Sequence, residues 1–304
     1  MLSPYFGQWP EWINLFVESC KWNPGVRWRF YTDCGEPENK ANNIDYVHLS
    51  FDDYKALVRE RLGIAFDPPD AYKLCDLRPC LAHIHERDVA DFRFFGYGDI
   101  DVIYGNIGNF YTDDVLSRFN VLSTHPERLA GHFAVLRNTS SFRRAFQRIR
   151  NYRKLLEQPH YVGLDEVNFS AVFSPHGLRR AVNYFDPRRR RLLFVERFST
   201  VLSPRGWHDG TMNYPQQWFW RHGRVTNEND GERDFLYLHF MRWKSERWMA
   251  VPPAPGEGAW LRLERIVRVD WRNVADKGFC ISPEGFTEIG PSTLLSSSLN
   301  EATV

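Results

Sequence analysis

Residues 94–106 read FFGYGDIDVIYGN. The run leading into them, FRFFGYG at 92–98, is short, apolar and aromatic, the pattern of a buried strand. It ends on two acids, Asp99 and Asp101. Side chains of an extended chain repeat every two residues, so both carboxylates share one side. Held together they repel, and burying them without a cation is costly. The chain must therefore fold so that this strand ends at an opening rather than inside a sealed core. An isolated D-x-D is usually a solvated turn, but its place after FRFFGYG favours a site. Hard oxygen ligands select Mg2+ or Mn2+, and an ion held by few protein ligands keeps positions open for substrate phosphates.

The first 140 residues alternate strand and helix patterns. SPYFGQWPEW (3–12) ends a first strand and turns into a helix, with Pro10 in its first turn and Trp12, Phe16 and Cys20 at helical spacing. VRWRFYTD (26–33) and IDYVHL (44–49) read as strands. Ser50 and Asp53 form a capping box for a helix that stops near Gly63. AYKLCDLRPCLAHI (71–84) reads as a helix kinked or broken at Pro79. GHFAVLRN (131–138) is another strand, and SSFRRAFQRIRNYRKLLE (140–157) reads as one basic amphipathic helix. GLDEVNFSAVF (163–173) begins a short helix, and QWFWRHGRV and DFLYLHF are late strands. This order predicts an α/β fold with helices flanking a sheet. Ligands of such sheets gather beyond the carboxyl ends of strands, where Thr32, Asp33, Asp99 and Asp101 all fall.

Composition narrows the function. With 43% hydrophobic and 15% aromatic residues, the 304-residue chain can build a large core and is no disordered tail. Its 39 basic and 38 acidic residues balance to a net charge of +1, which argues against coating nucleic acid. No apolar run is long enough to span a membrane, and MLSPYFGQWPEW lacks the basic start and apolar stretch of a secretory signal. Cysteines 20, 34, 75, 80 and 280 form no CxxC pair, so reduced thiols and a cytoplasmic location are expected.

His239 ends another apolar strand in FLYLHFMRWK. A lone histidine there is more often a satisfied core residue, but beside a D-x-D it becomes a third metal ligand through a neutral nitrogen. Arg242 and Lys244 follow, either as ordinary surface or to neutralise a leaving diphosphate.

These pieces resemble a metal-dependent glycosyltransferase of the GT-A fold. More closely, they resemble an uncharacterised glycosyltransferase-like family of bacterial polysaccharide-biosynthesis clusters. PYFGQWPEW, RFYTD, PDAYKLCDLRP, FFGYGDIDVIYGNI, GHFAVLRN, GLDEVNFSAVF and FLYLHFMRWK come in the order such enzymes use, across residues 4–244. The resemblance implies a GT-A-like, Rossmann-like mixed sheet with a C-terminal extension. It implies that Pro4, Tyr5 and Phe6 line the nucleotide pocket, that Thr32 and Asp33 sit near the base, and that Asp99, Asp101 and His239 bind the metal. AYKLCDLRP is similar to an A-x-x-x-D-x-x-R segment, so Tyr72, Asp76, Arg78 and, further on, Lys244 are expected around the donor. Here Arg78 follows Asp76 by two residues rather than three. LDEVNF resembles the D-Q segment of retaining enzymes, with Asp165 and Glu166 near the donor sugar and Glu where Gln is usual.

The function expected is hexosyl transfer from a nucleotide-sugar, UDP-sugar first, to a glycan or lipid-linked acceptor of surface polysaccharide such as capsule or O-antigen. Mn2+ or Mg2+ would be the cofactor, and retention the stereochemistry. Two rivals remain: a non-catalytic nucleotide-sugar or glycan-binding protein, and a phosphoryl-transfer enzyme. The second prefers Thr or Val where Ile103 stands. Residues 1–245 are expected to form the catalytic domain and 246–304 an extension with a loose tail, beginning at the PPAPGEG linker. The arginine run at 188–191 is either a solvated loop or a peripheral contact with the inner face of a membrane. Seven of the eleven tryptophans lie at or after Trp207, as core mass or as sugar platforms. GWHDGTMN (206–213) reads as a polar, glycine-containing loop, either plain or serving as a lid or acceptor contact. Few apolar residues precede PYFG, which fits a true start upstream of residue 1.

Overall fold

The computed structural model describes residues 1–173, 191–203, 206–245 and 256–290. Most of the arginine run, the start of the PPAPGEG linker and the tail lie outside these residues.

A seven-stranded mixed sheet carries the fold, and the expected α/β class is what forms. Strands β1 (Leu2–Pro4), β2 (Trp28–Thr32), β3 (Ile44–His48) and β4 (Phe94–Gly98) run parallel in the order β3-β2-β1-β4. β5 (Val102–Tyr104) leaves that sheet. β6 (Val121–Ser123) and β7 (Phe133–Arg137) close the far side, with β7 antiparallel to β4, and β8 (Leu192–Phe194) is the edge. β9 (Trp218–Arg221) and β10 (Arg224–Asn227) form a hairpin. β11 (Tyr237–His239) pairs antiparallel with β5. β12 (Phe279–Ser282) and β13 (Gly285–Thr287) complete a four-stranded sheet on β9.

Alternation along each strand feeds two cores, one on either face. On β2, Trp28 and Phe30 enter the first and Tyr31 the second. α1 (Ile13–Lys21) buries Phe16, Val17 and Cys20 in the first. α2 (Phe51–Leu62) buries Tyr54, Val58 and Leu62 in the second. Both caps expected for α2 are present: Ser50 Oγ accepts from the Asp53 amide at 3.1 Å, a cap contributing about 1 kcal/mol, and Gly63 takes the left-handed conformation at φ 61°. The described part of the late segment packs into the first core, with Trp260 against Trp12 and Phe240. Among the described residues no helix is long and apolar enough to cross a membrane.

Two helix expectations need correction. Residues 71–84 form a 3-10 helix, Ala71–Cys80, followed by a single α turn, Leu81–Ile84; Pro79, with no amide to donate, sits just before the change from one ladder to the other. The 140–157 stretch is three short helices, Ser140–Arg143, Ala145–Arg148 and Tyr152–Leu156. Phe146 and Ile149 both sink into the second core, and Asn151 turns the chain at φ 59°. A residue in the left-handed conformation cannot lie inside one straight α-helix.

Behind β2 a polar cluster ties the sheet to the 81–88 segment. Asp88 accepts from Tyr31 Oη at 2.7 Å and Arg29 Nη1 at 2.5 Å, with His85 Nδ1 at 3.6 Å. His85 first, then Tyr31 and Arg29, outweigh desolvation and hold the carboxyl down to about 2, from an ordinary 3.8. A depressed carboxylate stabilises the fold above its unfolded value, and that gain is lost as pH falls toward 2. Asp88→Asn should therefore cost about 1 kcal/mol at pH 7 after solvent screening, and progressively less as pH falls through the folded value of about 2. Urea melts of both proteins across that range measure the difference.

Candidate active site

The site forms where β1, β2 and β4 end, the position where parallel sheets bind ligands. The amide of Asp99, just past β4, donates to His132 O at 3.1 Å, which anchors the turn at the start of β7. The chain then enters β5. The β5–β11 register pairs Val102 with His239, and the Phe240 amide donates to Asp101 O at 3.2 Å. This pairing brings His239 to the D-x-D.

Asp99, Asp101 and His239 each offer a ligand atom, and the three atoms lie within 4.8 Å of one another. Asp101 and His239 are buried, while Asp99 keeps 29% of its side chain exposed. His239 Nδ1 lies 3.3 Å from Thr200 Oγ1. Nε2 is buried without a hydrogen-bond partner, 3.7 Å from Asp101 Oδ1. Burial lowers the imidazole to about 4, so it is neutral with a lone pair to give. A buried nitrogen without a partner facing two carboxylates suits a divalent cation, and the three residues fit one.

Cations of the chain itself also reach these acids. Lys244 Nζ sits 2.8 Å from Asp101 Oδ2. Burial pushes the Asp101 carboxyl up, but Lys244 and His239 prevail and hold it below its ordinary value. Asp99 is raised, because burial outweighs its ion pair with Arg78. Arg78 also pairs with Asp165, so one guanidinium links the D-x-D to LDEVNF. The side chain of Asp165 is fully buried and accepts from Tyr161 Oη at 3.0 Å. Burial, first, raises its carboxyl despite Arg78.

LDEVN winds as a π-helix, Leu164–Asn168, entered through Gly163 at φ 72°. π turns are frequent at functional sites, and this one sets Asp165 and Glu166 side by side. Glu166 Oε1 accepts from the Gly131 amide at 3.1 Å. A Cβ at Gly131 would stand 2.7 Å from Arg78 Nη1 and 2.8 Å from Asp165 Oδ2, so a side chain here would have to displace the Arg78–Asp165 pair.

The remaining expected residues divide. Tyr5 stacks on Trp9 at 4.9 Å and feels the charges of Lys244 and Asp101, which places it at the site. Pro4 ends β1 beside it. Asp33 Oδ1 accepts from the Gly7 amide at 2.8 Å on the same rim. Phe6 instead packs between Phe51 and Tyr54, and Thr32 is fully buried with Oγ1 accepting from the Cys34 amide. Tyr72 is 37% exposed and meets Tyr161 edge-on at 5.2 Å. Asp76 and Lys73 form a fully buried ion pair at 2.9 Å. Asp76 also accepts from the amides of Val162 at 2.9 Å and Leu164 at 2.7 Å, so it holds the turn that presents Asp165.

Sequence reasoning missed Gly131, Tyr161 and His132. The His132 ring stacks on His239 at 3.9 Å, and its Nε2 lies 2.7 Å from Tyr237 Oη. Burial drives it well below the ordinary histidine value. Its signal was a histidine opening the strand next to the D-x-D strand. A separate cavity of about 870 Å3, lined by Met1, Trp22, Phe94, Tyr111 and Val135, holds none of the expected site residues.

The fold and site define an α/β protein with a candidate metal centre at the carboxyl edge of its parallel strands. Residues 1–288 match a family of unknown function, DUF6625, and the chain belongs to that family. No curated protein matches it. Similar solved structures include the galactosyltransferase LgtC with donor and acceptor sugar analogues, at 9% identity over 66% of this chain and 75% of that one, TM-score 0.35. An active-site mutant of LgtC shares 12% identity over 69% and 91%, TM-score 0.32. Mouse xyloside xylosyltransferase 1, apo form, shares 9% over 66% and 86%, TM-score 0.32.

Proposed function

We propose that this protein is a metal-dependent glycosyltransferase of the GT-A type that moves a sugar from a nucleotide-sugar, UDP-sugar first, to a glycan or lipid-linked acceptor. Surface polysaccharide synthesis in bacteria, at the cytoplasmic side of a membrane, is the setting this reading assigns. The observation that carries it is the buried, unpartnered Nε2 of His239 facing Asp101 and Asp99 at the mouth of the sheet. A Mn2+ or Mg2+ ion held by these three residues would supply the positive charge that stabilises a leaving diphosphate.

The chain's own residues do the rest. Lys244 and Arg78 add fixed positive charge on either side of the acids. Tyr5 and Trp9 offer a stacked pair, and Asp33 the polar edge, for a nucleotide base. Asp165 is held by Arg78 and Tyr161, and Glu166 by Gly131 and Arg128, so Glu166 is the less buried carboxylate and the candidate for work at the anomeric carbon. Asp76 acts as a positioning residue, and residues 1–245 are the catalytic part.

Asp101→Asn is expected to abolish Mn2+-dependent nucleotide binding while the circular dichroism spectrum is kept; a variant that binds as the wild type does ends the metal reading. Glu166→Gln should keep nucleotide binding and lower transfer by about 10²-fold or more, the scale of a lost acid–base group. Unchanged transfer would remove Glu166 from the chemistry.

A further inference from the structure

The candidate metal centre needs one nitrogen of His239 free of its proton. A neutral imidazole carries one proton, and the nitrogen without it is the one that can bind a cation. The groups around the two nitrogens determine which one that is. Nε2 is buried without a hydrogen-bond partner, 3.7 Å from Asp101 Oδ1. Nδ1 lies 3.3 Å from Thr200 Oγ1. The carboxylates of Asp101 and Asp99 attract the proton to Nε2, where it would point at the place a cation takes. A hydroxyl oxygen at Nδ1 works against them, because it can accept the proton there.

Backbone register puts the hydroxyl at that nitrogen. One edge of His239 pairs with Val102 of β5. The other edge takes residues 199–201. The His239 amide donates to Ser199 O at 2.7 Å, the Val201 amide donates to His239 O at 3.4 Å, and Thr200 is the parallel partner of His239. Residues opposite each other across such a bridge turn their side chains to the same face. Ser199 and Val201, on either side of Thr200, are both buried. A slip by one residue would exchange the two faces of this segment, so its burial pattern holds Thr200 opposite His239.

The ring itself has little freedom. His132 stacks on it at 3.9 Å with an interplanar angle of 17°. His132 Nε2 in turn lies 2.7 Å from Tyr237 Oη, which meets Thr124 Oγ1 at 2.6 Å. The backbone therefore fixes where the imidazole starts, and His132 fixes its plane. Neither fixes the proton, because a stacked ring meets the imidazole by its face. Among the described residues, Thr200 Oγ1 is the one hydrogen-bond partner of the His239 ring.

We propose that Thr200 is a positioning residue of the candidate metal centre: its hydroxyl oxygen accepts the Nδ1 proton of His239, which leaves the Nε2 lone pair directed toward Asp101 and Asp99. The inference rests on the metal reading above. Thr200 offers no ligand of its own, since it meets the ring at Nδ1, away from the two carboxylates. It acts by denying the proton to Nε2. Outer partners of this kind commonly set metal affinity by about 10- to 100-fold.

The test is a titration of the full chain with Mn2+ alone, the free ion counted by electron paramagnetic resonance. Beside it, 15N–1H NMR of the histidine rings is run without metal, with His239 assigned by its loss in His239→Gln. Thr200→Val keeps the shape and removes the hydroxyl, and should weaken Mn2+ binding about tenfold or more. Thr200→Ser returns the hydroxyl and should restore the affinity, which a role in packing alone would not do. The NMR should find the His239 proton on Nδ1 in the wild type and on Nε2 in Thr200→Val. Wild-type Mn2+ affinity in Thr200→Val, a Thr200→Ser variant as weak as Thr200→Val, or a wild-type proton on Nε2 overturns the role of Thr200 and leaves the metal reading standing. A folded wild type that takes up no Mn2+ removes the metal reading, and this role with it. If Thr200→Val fails to fold, the wild-type proton position and Thr200→Ala carry the test.

Discussion

Asp76→Ala is expected to lower the melting midpoint by on the order of 10 °C, from a loss of about 3–5 kcal/mol. The variant strands Lys73, which is fully buried, with Leu155 O and His160 O as its remaining acceptors among the described residues. It also leaves the amides of Val162 and Leu164 without their carboxylate. Breaking a buried pair by removing one partner costs far more than breaking a surface pair. A thermal melt by circular dichroism measures it. A fall of only 1–2 °C, the size of an exposed ion pair of about 0.5 kcal/mol, would mean that water reaches Lys73. Because Asp76 fastens the residues just before Asp165, the surviving folded fraction should also show weaker donor binding.

Arg78→Met should destabilise the protein by a similar amount, about 3–5 kcal/mol, through a different route. One guanidinium neutralises both Asp99 and Asp165, and without it the two carboxylates face each other through a partly buried gap. Their charges then favour any cation that enters. Added Mn2+ should therefore raise the midpoint of Arg78→Met more than that of the wild type, recovering part of the loss. An equal or smaller Mn2+ effect would show that Arg78 does not share its carboxylate with a metal. The same variant discriminates a structural arginine from one placed to meet the donor. Only the second loses nucleotide affinity after Mn2+ has restored stability.

Much of this arrangement was legible in residues 94–106. A buried aromatic strand that stops on two acids leaves few physical options, and Asp99 and Asp101 do lie at the strand's carboxyl end. α2 was legible because both of its ends carry local signals, Ser50 with Asp53 and Gly63. His239 was readable as a candidate only because a D-x-D stood elsewhere in the chain; a lone histidine closing an apolar strand is more often a core residue. What brings it to Asp101 is the antiparallel pairing of β5 with β11, and long-range register leaves no local pattern. The same holds for Gly131, whose role is the absence of a side chain beside Arg78 and Asp165.

The segment at 140–157 shows the opposite failure. Its apolar spacing is helical, and Phe146, Ile149 and Leu156 do share the second core, but Asn151 takes a left-handed φ of 59° and splits the stretch into short turns, which apolar spacing does not register. Lys73 and Asp76 stand three residues apart, and sequence does not distinguish an internal ion pair from ligands aimed at a phosphate. Burial decides between those, and burial belongs to the folded chain.

The most direct test of the central claim is a thermal-shift panel of UDP, GDP, CDP and ADP, each with and without Mn2+, on the wild type and Asp101→Asn. A ligand that binds only the folded state stabilises it by mass action, about 2.7 kcal/mol at a hundredfold excess over Kd. The metal-centre reading predicts a shift for one nucleoside diphosphate that requires Mn2+ and disappears in Asp101→Asn. A folded wild type that shifts with none of them, or a shift that survives Asp101→Asn, would contradict it.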